Sequence, residues 1–134
     1  MKNGQLLIVN GGFSAPDEAV TNSDDIIDNF MGGHQFLNRE FGVDDPNISW
    51  QIDSFGVSKG YARLAKDMGF DAMFFARVDY SEKEKLKKEK DAIEVWRADE
   101  RNFGPTKDIL SILLIQESGN YCWPKGFGFD QNFG

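Results

Sequence analysis

The sequence predicts an α/β fold in which parallel strands alternate with helices. Three observations carry this. Apolar runs of strand length recur along the chain, stretches of helical period or helix-friendly charge separate them, and glycine-containing turns mark the junctions. A strand, helix, strand, helix, strand order reads as consecutive right-handed βαβ units.

The first element, "QLLIVN" (5–10), reads as a buried strand stopped by Gly11-Gly12, residues that allow backbone conformations others avoid. A loop through Pro16 follows. From Asn22 the period changes: Ser23-Asp24-Asp25 supply a cap and an acidic first turn, and Ile26, Phe30, Leu37 and Phe41 share one helical face up to a stop at Gly42. Gly32-Gly33 inside that helix costs about 1 kcal/mol per glycine relative to alanine, so a break or kink is expected there. After the turn-like "VDDPN", residues 48–52 form a second strand, and 57–68 carry Tyr61, Leu64 and Met68 at helical spacing before Gly69. "FDAMFFARV" (70–78) is apolar enough for a strand covered on both faces, as in a parallel sheet. A charged helix over 81–91 precedes a fourth strand at 92–98, and Trp50 and Trp96 read as core. Beyond residue 99 the pattern loosens. "DILSILLI" fits strand or helix, and the glycine- and aromatic-rich end reads as loop.

Composition narrows the partners. The 134 residues are 40% apolar and 13% aromatic, enough for one domain-sized core, and there are no internal repeats or low-complexity linkers. A net charge of -7 and a pI near 4.6 disfavour a nucleic-acid partner, whose phosphates demand clustered Lys and Arg. The basic run "KEKLKKEK" (83–90) alternates with Glu and reads as a solvated helix face. The single cysteine, Cys122, has no internal partner and no zinc-type spacing, and the apolar "LLIV" near the start is too short for a signal peptide or a membrane span. Four parallel strands at most cannot close a barrel, so residues 1–134 read as one incomplete segment of a larger domain. Its open strand edges predict poor solubility in isolation.

In parallel α/β folds ligands bind beyond the carboxyl ends of the strands. Asn10, Asp53 and Arg77 occupy those ends, and adjacent strands would bring Asp53 and Arg77 together. A guanidinium beside a carboxylate favours the ionised form, which suits a nucleophile or a metal ligand. An equal alternative makes Asp53 a helix cap or an Asx-turn residue, and Arg77 an ordinary ion pair between elements. His34 reads as a packed helix residue rather than a ligand. Asp17 and Glu18 fit loop solvation as well as chemistry.

Beyond these patterns, "VNGGF" with "PDEAV" (9–20), "DDIIDNFMGGHQFL" (24–37), "WQIDSFGVS" (50–58), "MGFDAMFFARVDY" (68–80) and "EVWRA" (94–98) occur in an order that resembles the catalytic domain of glycoside hydrolase family 38. The chain is most similar to the lysosomal-type, zinc-dependent α-mannosidases. That resemblance implies a seven-stranded β/α barrel of which this is an N-terminal portion, and retaining hydrolysis of α-linked mannose from glycans. It implies that Asp53 is both zinc ligand and nucleophile, that Arg77 stands beside the nucleophile, and that Tyr121 in "GNYCWP" contacts substrate. Retaining hydrolysis also needs a second carboxyl group roughly 5 Å away as acid and base. The family's His-x-Asp motif would lie upstream, and its general acid and last zinc histidine downstream, leaving this chain inactive alone with one of four zinc ligands. A lysosomal or secreted location is implied too, with no membrane contact; oligomeric state is not. Ser54 stands where the family pattern "IDPFGHS" has proline, Val57 where it has histidine, and Phe13 where "NGGW" has tryptophan. A non-catalytic remnant or carbohydrate-binding module on the same fold segment is the alternative function.

Overall fold

The computed structural model describes residues 3–44 and 46–115. Helix α1 (Ser23–Phe41) leads to β1 (Ile48–Gln51), α2 (Lys59–Asp67), β2 (Ala72–Phe75), α3 (Tyr80–Glu89) and β3 (Ile93–Trp96). A single helical turn, α4 (Glu100–Phe103), and a 3₁₀ turn (Gly104–Lys107) then return the chain to β4 (Ile109–Leu113). The sheet order is β1-β2-β4-β3. β1, β2 and β4 are mutually parallel, whereas β3 runs antiparallel to β4 at the edge.

Local chemistry accounts for the helix ends. Asn22 caps α1 by accepting from the Asp25 amide, Ser58 caps α2 through Tyr61, and Asp79 caps α3 through Ser81 and Glu82. Gly42 closes α1 in the left-handed conformation that glycine adopts without strain. Helix α3 has no buried residue, as its charge pattern predicts.

Several expectations are corrected. Residues 5–10 form no strand: Leu6 and Leu7 are exposed, and the segment meets β1 through one backbone bond, Asn10 N–H to Ile48 O at 2.7 Å. Asn10 takes φ 61, which turns the chain out of extended geometry and prevents a ladder. Gly32-Gly33 does not break α1. An added Cβ at Gly33 would lie 2.0 Å from the Gly11 carbonyl oxygen, so the pair permits helix and loop backbones to touch. The fourth strand belongs to the sheet but not to a parallel run, because strand propensity carries no direction. "DILSILLI" resolves to a strand, in which Ile109, Ser111 and Leu113 are buried, Leu110 is exposed and Ile112 lies between. Trp50 and Trp96 are half-buried rather than core.

The core lies on one face of the sheet. Ile26 and Phe30 of α1, Tyr61, Ala62 and Ala65 of α2, and Met73, Phe75, Ile109 and Leu113 of the strands form one buried cluster, with Leu86 of α3 at its border. Each fully buried large side chain contributes about 1.5–3 kcal/mol. The opposite face is apolar in two cross-strand rows: Ile48, Ala72, Leu110 and Val95, then Trp50, Phe74, Ile112 and Ile93. No described helix contributes to it, and Val95 and Ile93 remain 64% and 63% exposed.

Candidate functional site

Two strands end side by side with Gln51 in register with Phe75. Continuing two residues past each end sets Asp53 opposite Arg77. The guanidinium donates to Asp53 Oδ1 from Nη2 at 2.6 Å and from Nε at 3.0 Å. The Asp53 side chain is 60% exposed and that of Arg77 is 27% exposed, so the pair faces solvent at the carboxyl edge of the sheet. Arg77 also stacks over the Phe55 ring, 4.6 Å from its centroid. Phe55, Gly56, Arg77, Val78 and Asp79 line an open hollow of about 260 Å³ beside the pair.

Asp53 does not cap α2. That role falls to Ser58, whose hydroxyl accepts from the Tyr61 amide at 3.1 Å, while Asp53 is paired with Arg77. The loop from Ile52 to Ser58 is held from outside instead. Ser54 is buried, with its Oγ 3.1 Å from the Pro16 carbonyl and 3.0 Å from Gln51 Oε1. The Ser58 amide donates to both Glu18 carboxylate oxygens, at 3.1 and 3.0 Å. A larger hollow of about 560 Å³ opens between these segments, with Glu18, Asn22, Phe55 and Tyr61 in its wall. The Tyr61 hydroxyl bonds Ser49 Oγ at 2.8 Å, and burial pushes its pKa up to about 12 against hydrogen bonding from Ser49 and Gln51.

The other candidates disperse. Asn10 sits beside the start of β1, where its side-chain oxygen accepts from the Trp50 amide at 3.0 Å. Asp53 lies three residues further on, about 10 Å along an extended chain, so Asn10 is a joint and not a member of the site. His34 donates from Nε2 to the Asn10 carbonyl at 2.9 Å and stands edge-on to Phe30 and Phe70, the packed role its helix position suggests. Asp17 closes an Asx turn onto the Ala19 amide at 3.1 Å. Tyr121 lies outside the described residues. Glu18 and Ser54 went unrecognised as loop tethers because each bonds across 38 or 40 residues of sequence, and no local pattern reports such a pair. Phe55 was missed too; its one signal is an aromatic side chain in a loop directly after a strand end.

Among the described residues, no three His, Cys, Asp or Glu side chains converge closely enough to hold a metal ion. Asp53 offers a carboxylate of the kind zinc accepts, but these residues alone do not fit a four-ligand site. Among them, too, no helix is long and apolar enough to cross a membrane.

Comparison with known proteins bears on the same residues. Residues 1–132 match the glycosyl hydrolases family 38 N-terminal domain. The alpha-mannosidase of Canavalia ensiformis is 42% identical over 132 residues, which cover 97% of this chain and 13% of that protein. Lysosomal alpha-mannosidases of Dictyostelium discoideum and Cavia porcellus are 40% and 38% identical over 131 residues, covering 98% and 97% of this chain but 12% and 13% of theirs. The chain thus spans about an eighth of the length of these relatives.

Proposed function

The chain belongs to glycosyl hydrolase family 38 as a segment of its N-terminal domain, and from that membership we propose that the intact protein hydrolyses α-linked mannose from glycans with Asp53 as nucleophile. The observation that carries this reading is the Arg77–Asp53 pair at the carboxyl ends of two adjacent parallel strands, where α/β folds gather reactive groups. A nucleophilic carboxylate must be ionised and fixed in orientation. The two guanidinium bonds to Oδ1 fix its orientation and set a positive charge beside it, and the stacked Phe55 ring holds the guanidinium in turn.

The reaction class is proposed to be retention. An Asp53 oxygen forms a bond to the anomeric carbon as the glycosidic bond breaks, and a second carboxyl group protonates the leaving oxygen and then activates water. That second group is proposed to come from outside residues 3–115. Zinc dependence belongs to the same proposal: Asp53 would supply one ligand and residues elsewhere the others, with Lewis-acid stabilisation as the metal's contribution. A lysosomal location rests on the names of the relatives from Dictyostelium discoideum and Cavia porcellus.

We also read the sheet as one wall of a β/α barrel with seven strands. The supporting observation is its sidedness. A doubly wound sheet carries helices on both faces, whereas among the described residues the clustered helices pack on one face and the other face stays apolar and exposed at Ile93, Val95 and Leu110.

Asp53→Asn in the full-length protein tests the function. Asparagine keeps the size but removes the nucleophilic charge, so turnover of an aryl α-mannoside should fall to background while melting temperature changes little. Wild-type-like turnover in the variant removes Asp53 from the mechanism. An inactive wild type with bound mannoside favours the non-catalytic carbohydrate-binding alternative.

A further inference from the structure

We propose that Ser54 and Glu18 are positioning residues for Asp53: Ser54 through a buried relay from β1 to the Pro16 carbonyl, and Glu18 through a separate bond to the Ser58 amide at the far end of the same loop. This rests on the reading of Asp53 as nucleophile and adds to it two residues that never touch the reacting atoms.

The relay follows from counting protons. Ser54 Oγ lies within bonding distance of two oxygens, Pro16 O and Gln51 Oε1, yet a hydroxyl carries one proton and can satisfy one acceptor. Gln51 is 1% exposed, and its Nε2 has no partner in this placement. Both difficulties vanish when the Gln51 amide turns over, a change that leaves its shape the same. Nε2 then donates to Ser54 Oγ, and Ser54 donates to the Pro16 carbonyl. Gln51 Oε1 then becomes an acceptor available to the Tyr61 hydroxyl, whose titration Gln51 already influences, and Ser49 donates to Tyr61. Gln51 Nε2, Ser54 Oγ and the Ser49 and Tyr61 hydroxyls then each have a partner, as buried polar groups require.

The relay has a consequence for Asp53 because of where it ends. Asp53 stands between Ile52 and Ser54 in a loop with no ladder bonds of its own, and Gly56 in that loop has φ 118. Ser54 ties the loop next to Asp53, and Ser58 ties its far end through Glu18. Both ties reach one turn, which is itself braced: the Ala19 and Val20 amides bond Asp17, and Thr21 Oγ1 donates to the Asp17 carbonyl at 2.9 Å. Ser54 occupies the position where the family pattern has proline. A proline stiffens a loop through its ring, and here a buried hydroxyl supplies the restraint by hydrogen bonding. Arg77 alone cannot replace these ties, since it fixes the carboxylate end and not the backbone that carries it.

The test uses the full-length protein carrying this segment and a fluorinated mannosyl fluoride as a trapping reagent. In labelling, an Asp53 oxygen bonds to the anomeric carbon as the carbon–fluorine bond breaks and fluoride leaves; the labelled peptide is identified by mass. Ser54→Ala and, on the less buried side of the loop, Glu18→Ala should each slow labelling of Asp53 about tenfold with the half-saturating reagent concentration little changed. Arg63→Ala serves as control, because Arg63 pairs with Asp67 and Asp99 at the far end of α2. It should lower the melting temperature comparably and label at the wild-type rate. Wild-type labelling rates at Asp53 in both tether variants overturn the inference alone, as does an equal slowing in Arg63→Ala. Labelling of a different carboxylate in the wild type overturns the nucleophile reading, and the inference falls with it.

Discussion

Two neighbouring glycines in α1 should respond to the same substitution with opposite signs. Gly→Ala inside a helix gains about 1 kcal/mol of intrinsic propensity at either site. At Gly32 the new methyl would meet only the ring edge of Phe13, at 3.1 Å, and that side chain is 71% exposed and able to swing aside. Gly32→Ala should therefore stabilise by roughly 0.5–1 kcal/mol. At Gly33 the methyl would sit 2.0 Å from the Gly11 carbonyl oxygen and 2.9 Å from Gly12 Cα, both backbone atoms held by Asn10 and by the amide of Asn29 on Ser14. Overpacking against atoms that cannot move aside costs about 3 kcal/mol at the upper end of the usual range, leaving a net loss of about 2 kcal/mol after the propensity gain. Hydrogen exchange read by mass on peptides covering residues 10–16 of the full-length protein should show Gly33→Ala opening roughly 30-fold faster, the equivalent of that loss. Exchange unchanged or slower in Gly33→Ala would refute the close backbone contact between the two glycine pairs.

Two further outcomes concern the site. Arg77→Met removes both bonds to Asp53; charge-assisted bonds of this kind contribute about 1.5–3 kcal/mol, reduced by solvent at a half-open pair, so kcat/KM on an aryl α-mannoside should fall roughly tenfold. An unchanged value would make Arg77 a surface pair only. Tyr61 is held protonated by burial, its pKa raised from 10.0 to about 12. A raised folded-state value means that stability is complete below pH 10 and is lost as pH climbs from there towards 12, by about 2–3 kcal/mol in all. Melting temperature followed from pH 8 to 11 should drop above pH 10 in the wild type, and the drop should be shallower in Tyr61→Phe; parallel curves would count against it.

Much of the local organisation was legible because its signals are local. Asp24 and Asp25 fill the acidic first turn of α1 and Gly42 closes it, although Asn22 and not Ser23-Asp24-Asp25 supplies the cap, and the Glu and Lys alternation of 83–90 marks a helix that buries nothing. Propensity, capping and period all act over a few residues, so one chain displays them without a partner. The adjacency of Asp53 and Arg77 was legible for a related reason. Once 48–51 and 72–75 are neighbouring parallel strands, equal overhangs bring the two side chains to one edge.

Sequence alone determined the three longer helices and most strands, the stop of α1 at Gly42, and that an acid and an arginine share a strand-end edge. Tertiary structure alone decided the direction of β3, the failure of residues 5–10 to join the sheet, the choice between cap and ion pair for Asp53, and the meaning of Gly32-Gly33. Each of these depends on a contact between residues distant along the chain. Gly33 looks like a weak point until Gly11 arrives against it, and Ser54 looks like an ordinary loop residue until Pro16 lies 3.1 Å away. Steric fit and hydrogen-bond satisfaction are properties of pairs, and only the folded chain sets which residues are paired.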